Sequence, residues 1–158
     1  MSAAAHSVAL DRFAGIEEAG LELLAHVEVQ LGTTHALLKA PYGARLNVDV
    51  TCARIEGPRI NASLLGMAAA DWVTVAPDGK TGALDVRATV KTDDGAIVYC
   101  EYRGRVRFGP GGLNQVFTSP RFETGDERYA WLNGVQCIGK GISNQHERWL
   151  RYRLYAVV

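Results

Sequence analysis

The sequence lacks the charge excess and the long apolar runs that mark polyanion-binding and membrane-spanning proteins. Its 17 basic side chains balance 17 acidic ones, so the formal net charge is zero. Without a strong field of one sign, neither nucleic acid nor an anionic membrane surface is expected as the main partner. No apolar run approaches the roughly 20 residues of a membrane-spanning helix, so we expect no membrane segment.

Cysteine is also scarce, with Cys52, Cys100 and Cys137 as the only three. An odd number at wide spacing predicts neither a disulfide framework nor a zinc site. The charged residues Asp11 and Glu17 interrupt the N-terminal region and are atypical of a secretory signal. We therefore expect a cytoplasmic protein with reduced thiols. We also expect no metal and no cofactor, because neither the histidine spacing nor any glycine-rich motif predicts one.

What the sequence does contain is apolar residues at every second position. The segments 46–52, 84–90 and 150–158 all alternate in this way. A period of two is typical of β-strands with one face on a core and the other in water. Arg103, Arg105 and Arg107 fit the same pattern as an outer strand face.

Turn signals separate these runs and predict the fold class. Asp93-Asp94-Gly95 lies between two alternating segments and predicts a β-hairpin. About eight strands at spacings of roughly 10–15 residues indicate a sandwich or a closed barrel. We favour an all-β, antiparallel, closed or nearly closed barrel, because closure removes exposed edge strands. Residues 1–20 are expected to form a partly flexible helical or irregular segment, and residues 21–158 the barrel domain.

Polar and aromatic residues depart from the strand pattern at three places. Arg59 follows a turn, and Asp71 precedes Trp72 at the start of a strand-like run. Glu123 lies beside an aromatic ring. In 129–133, read as a strand, Tyr129, Trp131 and Asn133 share one face. We hypothesise that these residues line one cavity, with Asp71, Glu123 and Tyr129 as catalytic groups and with substrate-binding roles for Arg59, Trp72, Trp131 and Asn133.

Structural roles explain the same residues in another way. Asp71 can cap a turn, Glu123 can pair with Arg121 or Arg128, and Trp131 can belong to the core. If the aromatic residues fill the barrel, no cavity exists and the protein is a structural module. The position of these side chains therefore separates the two interpretations.

The same stretches carry a family resemblance. The motifs are GPR at 57–59, DW at 71–72, LDVR at 84–87, TDDGA at 92–96, FET at 122–124 and RYAWLN at 128–133. In this order they resemble the domain-of-unknown-function 3237 family, also called uncharacterised protein family 0311, over about residues 20–158. The resemblance implies a compact β-barrel with a central cavity, often dimeric, and no common reaction. The family's recurrent polar positions correspond here to Arg59, Asp71, Arg87, Asp94, Glu123, Tyr129, Trp131 and Asn133.

The chain departs from the family pattern before the Asp-Trp pair. The family usually has a glycine-rich stretch there, whereas this chain has Gly66 followed by Met67 and three alanines. We therefore expect a different turn ahead of Asp71.

These observations favour a cofactor-independent enzyme that acts on a small aromatic or oxygenated metabolite. Carboxylate acid–base chemistry would drive an isomerase, cyclase, lyase or hydrolase reaction. The alternatives are a small-molecule-binding barrel without turnover and a structural dimer module. The expected partner is a small molecule, with a homodimer as a further possibility.

Overall fold

The computed structural model describes residues 14–158. Nine β-strands account for most of this part of the chain. Their bounds are β1 Leu21–Leu37, β2 Ala44–Glu56, β3 Asn61–Val75, β4 Thr81–Thr92, β5 Ile97–Arg107, β6 Leu113–Thr118, β7 Arg121–Glu123, β8 Cys137–Asn144 and β9 Trp149–Val157. Short 3-10 helices span Pro110–Gly112 and Glu127–Gly134, and we call the second the end helix.

Eight of these strands form a closed antiparallel barrel, and β7 is an additional short strand. Around the barrel the order is β1, β2, β3, β4, β5, β6, β8 and β9, and β9 pairs again with β1. Strand β7 pairs with the part of β5 that β6 leaves free. The predicted fold class is confirmed. The N-terminal helical piece expected before residue 20 lies mostly outside the described residues.

Alternation along the strands explains which side chains fill the barrel. In β5, Val98, Cys100, Tyr102 and Val106 are buried, whereas Arg103, Arg105 and Arg107 face outward. The three arginines thus occupy the outer face that their spacing predicted. Cys100 and Cys137 are buried free thiols, and burial raises the pKa of Cys137 to about 11.

The two ends of the barrel differ. At one end, the connection after β2 and the turn after β4 meet the end helix, whose Leu132 is fully buried in the core. This end is closed. At the other end lie the turns at 38–43, 76–80 and 145–148. This end is open.

The end helix corrects one prediction. The period of two in residues 129–133 predicts a strand with Tyr129, Trp131 and Asn133 on a common face, but Glu127–Gly134 is a 3-10 helix. Asp126 caps it, because its side chain accepts a hydrogen bond from the backbone N–H of Arg128 (3.0 Å). Local capping and burial of Leu132 outweigh the period of two in this segment.

A bulge in β3 decides which way Asp71 faces. Before it, Ala62 and Leu64 face the core; after it, Asp71 and Val73 do. The pairing of β3 with β4 shifts between Leu64 and Ala69, and Gly66 there has φ +58°. Because the bulge inserts residues, the side chains that face the interior stand at even-numbered positions before it and at odd-numbered positions after it. Without the bulge, Trp72 rather than Asp71 would face the interior.

Candidate functional site

A cavity of about 370 Å³ opens at the end of the barrel opposite the end helix. We call it the barrel cavity. Much of its wall is aliphatic, with Leu46, Val48, Val73, Leu84 and Val116 among the lining residues. Its polar lining includes Asp71, Asn114, Ser143 and Arg148. A mostly apolar pocket with a few polar groups is the common form of a small-molecule site.

Asp71 is the one carboxylate among the described residues that line the barrel cavity. One of its oxygens accepts a hydrogen bond from the backbone N–H of Asp85 (3.2 Å). Burial, assisted by the nearby charge of Asp85, raises the pKa of Asp71 to about 7, although that hydrogen bond opposes the rise. A carboxyl group with this pKa can both donate and accept a proton near neutral pH.

Two further polar side chains form a pair in the cavity wall. The amide nitrogen of Asn114 donates to the hydroxyl of Ser143 (3.2 Å), and its oxygen accepts from the backbone N–H of Gly109 (3.2 Å). Asn114 is therefore held in place by protein groups. The Ser143 hydroxyl accepts from Asn114, which leaves its own proton free to donate to a ligand.

Tyr102 is buried in the barrel interior close to Asp71, but it does not line the barrel cavity. Val86 pairs with Asp71 on one side and with Tyr102 on the other, so the three residues form one row across β3, β4 and β5. Burial, with smaller contributions from Tyr152 and Asp71, raises the pKa of Tyr102 well above its usual value. Tyr102 is therefore a neutral O–H donor.

The structure does not bring the seven predicted site residues together. Asp71 alone lies in the barrel cavity. Trp72, its neighbour in sequence, points to the opposite face of β3 and is 40% exposed. The centre of its ring lies 5.5 Å from the Cζ atom of Arg87. Glu123 is exposed on β7, in a polar groove on the outer wall. Asn133, another predicted site residue, lines the same groove, together with Tyr99, Glu101 and Arg121.

The other four predicted residues belong to the closed end. The Arg59 guanidinium stacks 3.7 Å from the centre of the Trp131 ring. The Tyr129 hydroxyl donates to Asp94 (2.9 Å), which also accepts from Arg128 (3.0 Å). The Asn133 amide donates to the carbonyl of Thr124 and accepts from its N–H, at 3.0 and 2.9 Å.

These contacts attach the end helix to the barrel wall. Arg59, Tyr129, Trp131 and Asn133 lie in or beside the end helix, at the opposite end of the barrel from Asp71. The roles assigned to them and to Glu123 remain predictions.

Sequence reasoning did not select Asn114, Ser143, Arg148 or Tyr102. A signal existed for Asn114, because it lies two positions before the inward-facing Val116 and so shares its face. For Ser143 and Arg148 the signal is tertiary, since their place in the cavity wall depends on how β8 and β9 meet β1 and β6. Among residues 14–158, no cluster of His, Cys, Asp and Glu has the composition of a metal site, and no helix is long and apolar enough to cross a membrane.

Fold and cavity together define a closed antiparallel β-barrel with an internal pocket. A family described as "Protein of unknown function (DUF3237)" matches residues 19–157, and the chain belongs to this family. A UPF0311 protein of Rhodopseudomonas palustris (strain TIE-1) is 33% identical over 111 residues, which cover 61% of this chain and 71% of that protein. A UPF0311 protein of Bradyrhizobium diazoefficiens is 40% identical over 77 residues, 40% of this chain and 49% of that protein. The resemblance seen in the sequence is confirmed.

Solved structures share the barrel fold. A β-barrel-like protein from Acinetobacter baumannii superposes with a TM-score of 0.80 at 24% identity, covering 90% of this chain and 98% of the other. A crystal structure described as an enzyme from Penicillium herquei gives a TM-score of 0.67 at 21% identity, with 90% and 96% covered. At these identities the comparisons establish the fold.

Proposed function

We propose that the protein is a cofactor-independent enzyme in which Asp71 transfers a proton to or from a small, largely apolar molecule held in the barrel cavity. The observation that carries the proposal is a single carboxyl group with a pKa of about 7 in a mostly aliphatic cavity. The placement of this pKa near neutrality suits a general acid or base. One neighbour of the same fold is described as an enzyme, which agrees with this reading.

The other polar groups of the cavity wall support this proposal. Asp71 would exchange a proton with a carbon or oxygen atom of the bound molecule. The Ser143 hydroxyl, held by Asn114, would orient a second polar group. Such a set suits enolisation, isomerisation or elimination next to a carbonyl.

Proton exchange on 2-tetralone in D₂O tests the proposal without knowledge of the natural substrate. We expect the protein to accelerate loss of the α-proton signal in NMR spectra at neutral pD. Asp71→Asn should reduce the accelerated rate by roughly 10²–10⁴-fold, the usual contribution of a general acid or base. Exchange no faster than in buffer, or equal rates for the two proteins, would overturn the proposal.

Two variants sharpen this experiment. Asp78→Asn is the matched control, because Asp78 lies in the exposed turn after β3 and its side chain accepts from the backbone N–H of Lys80. Its exchange rate should equal that of the unaltered protein. Glu123→Gln tests the other predicted catalytic carboxylate. Because Glu123 lies on the outer wall, we expect no loss of the exchange rate. A large loss would show that the groove around Glu123 contributes to catalysis.

A binding protein without turnover is the alternative, and the mostly aliphatic cavity wall favours it. In that case 2-tetralone binds and shifts NMR signals of the cavity residues, but its proton exchange stays at the buffer rate. Asp71→Asn would then change only the affinity.

A further inference from the structure

Arg148 has a backbone conformation that few arginines adopt. It ends the four-residue turn between β8 and β9 with φ +58°, and among the described residues it is the one non-glycine with positive φ. Glycine takes this conformation at no steric cost, whereas other L-residues pay roughly 1–2 kcal/mol. A strained residue that persists where glycine would fit suggests that its side chain has a use.

Arg148 lies at the mouth of the barrel cavity, in the exposed turn at the open end of the barrel. It lines the cavity together with Gln145 and Leu31. Its carbonyl accepts a hydrogen bond from the backbone N–H of Leu31 (2.8 Å), which fixes the turn against β1. The backbone from which the Arg148 side chain extends is therefore held against β1.

Arg148 also differs from Arg151 in its charge environment. Arg151, three positions later, pairs with Glu28 at 2.9 Å on the outer wall. Among the described residues, no carboxylate lies within ion-pair distance of Arg148. Nor does Arg148 contribute to the pKa of Asp71, which burial and Asp85 determine. The cavity therefore has a cation at its mouth and, separately, a protonatable carboxyl group in its wall.

We propose that the molecule bound in the barrel cavity is an apolar carboxylic acid whose anionic end pairs with Arg148. Its apolar body fills the aliphatic part of the cavity. The guanidinium would hold the carboxylate through paired N–H donors. An engineered cavity of about 150 Å³ accepts benzene, so the barrel cavity has room for a two-ring compound. The inference that this acid is also the substrate rests on the proposed function; the binding preference itself does not.

Equilibrium binding of 2-naphthoate and 2-naphthamide at pH 8 and low salt tests the proposal, because the two probes share a shape and differ in charge. We expect calorimetry to show 2-naphthoate binding at least fivefold more tightly, a ratio typical of a charge-assisted pair. Arg148→Gly should reduce this ratio to about one, with the 2-naphthamide affinity unchanged within twofold. Arg148→Lys should retain part of the preference.

The same variant has a second readout that a merely structural arginine would not give. Arg148→Gly removes the steric strain of φ +58°, so its Tm should rise while the preference for the anion disappears. Arg151→Gln is the matched control, because it removes a cation from the outer wall, and its ratio should equal that of the unaltered protein.

An unchanged ratio in Arg148→Gly, or no preference for 2-naphthoate in the unaltered protein, would overturn the proposal. Failure of both probes to bind at millimolar concentration would overturn it as well. None of these readouts depends on turnover. If the unaltered protein prefers 2-naphthoate but does not accelerate proton exchange, the result contradicts the proposed function and leaves the binding proposal standing.

Discussion

The raised pKa of Asp71 predicts how the stability of the protein depends on pH. Its pKa is raised by burial to about 7, while the unfolded chain has the ordinary value near 4. Between these values the native state holds more protons than the unfolded state, so this group's contribution to stability falls as pH rises from 4 to 7. Above pH 7 both states are ionised and the loss is constant.

Asp71→Asn removes this penalty, because an amide resembles the protonated acid and can still accept the hydrogen bond from Asp85. We expect nearly equal free energies of unfolding at pH 4. By pH 8 the variant should be more stable by roughly 2–4 kcal/mol, given about 1.4 kcal/mol per pKa unit. Urea titrations across this pH range measure the difference. Equal stability at pH 8 would show that the carboxyl group is well solvated.

Other carboxylates contribute stability that increases with pH, but their contributions are the same in both proteins and cancel in this comparison. The pKa of Asp93 is lowered by Arg54, that of Asp94 chiefly by the hydroxyl of Thr92, and that of Asp126 by Arg128. Their stabilisation is lost as pH falls through their lowered pKa values. Both proteins contain them, so the difference between the two isolates Asp71.

Asn133 makes a second residue-level prediction. Its amide satisfies both backbone groups of Thr124, which is buried. Asn133→Ala leaves these groups without their partner and should lower the free energy of unfolding by about 1–3 kcal/mol. The matched control is Asn47→Ala, at an exposed position of β2, where almost no change is expected. Thermal unfolding compares the two, and similar Tm values would contradict a structural role for Asn133.

At the level of elements, the β3 bulge determines whether a carboxylate or an indole faces the cavity. Gly66 has φ +58° and open space around it. Gly66→Ala therefore brings no clash but should destabilise by about 1 kcal/mol through backbone strain. Gly134→Ala is the control, because it also lies in open space but does not have positive φ. Chemical denaturation tests the pair, and equal losses would show that strain at Gly66 is not the cause.

The same elements show how far the sequence predicts this protein. Alternation in β4, β5 and β9 predicts strands correctly, because each packs one face on a single core. In 129–133 alternation is misleading, since Asp126 and the burial of Leu132 produce a helix instead. For the site, the sequence pattern indicates Asp71, which lines the barrel cavity, but the predicted grouping with Tyr129 and Asn133 is not observed. Which end of a barrel a residue reaches depends on strand register and bulges, and neither is visible in local pattern.

For the whole molecule, closure of the barrel joins strands that are far apart in the chain. Arg151 on β9 contacts Glu28 on β1 across 123 positions. Pairing over such distances requires costly loop closure, so refolding should be slow for a domain of this size, in the range of milliseconds to seconds. Stopped-flow fluorescence of the tryptophans measures this rate. Complete refolding within microseconds would contradict slow closure of the barrel through long-range strand pairing.

The seam between β1 and β9 also has a consequence during synthesis. Until residues 149–157 leave the ribosome, β1 and β8 each keep an unpaired edge along the same gap. A sheet formed by the earlier strands during this interval therefore has two edges with unpaired backbone N–H and C=O groups. Because the β9 of a second copy has the same sequence, it fits the same gap, and we expect strand exchange between two chains that emerge close together.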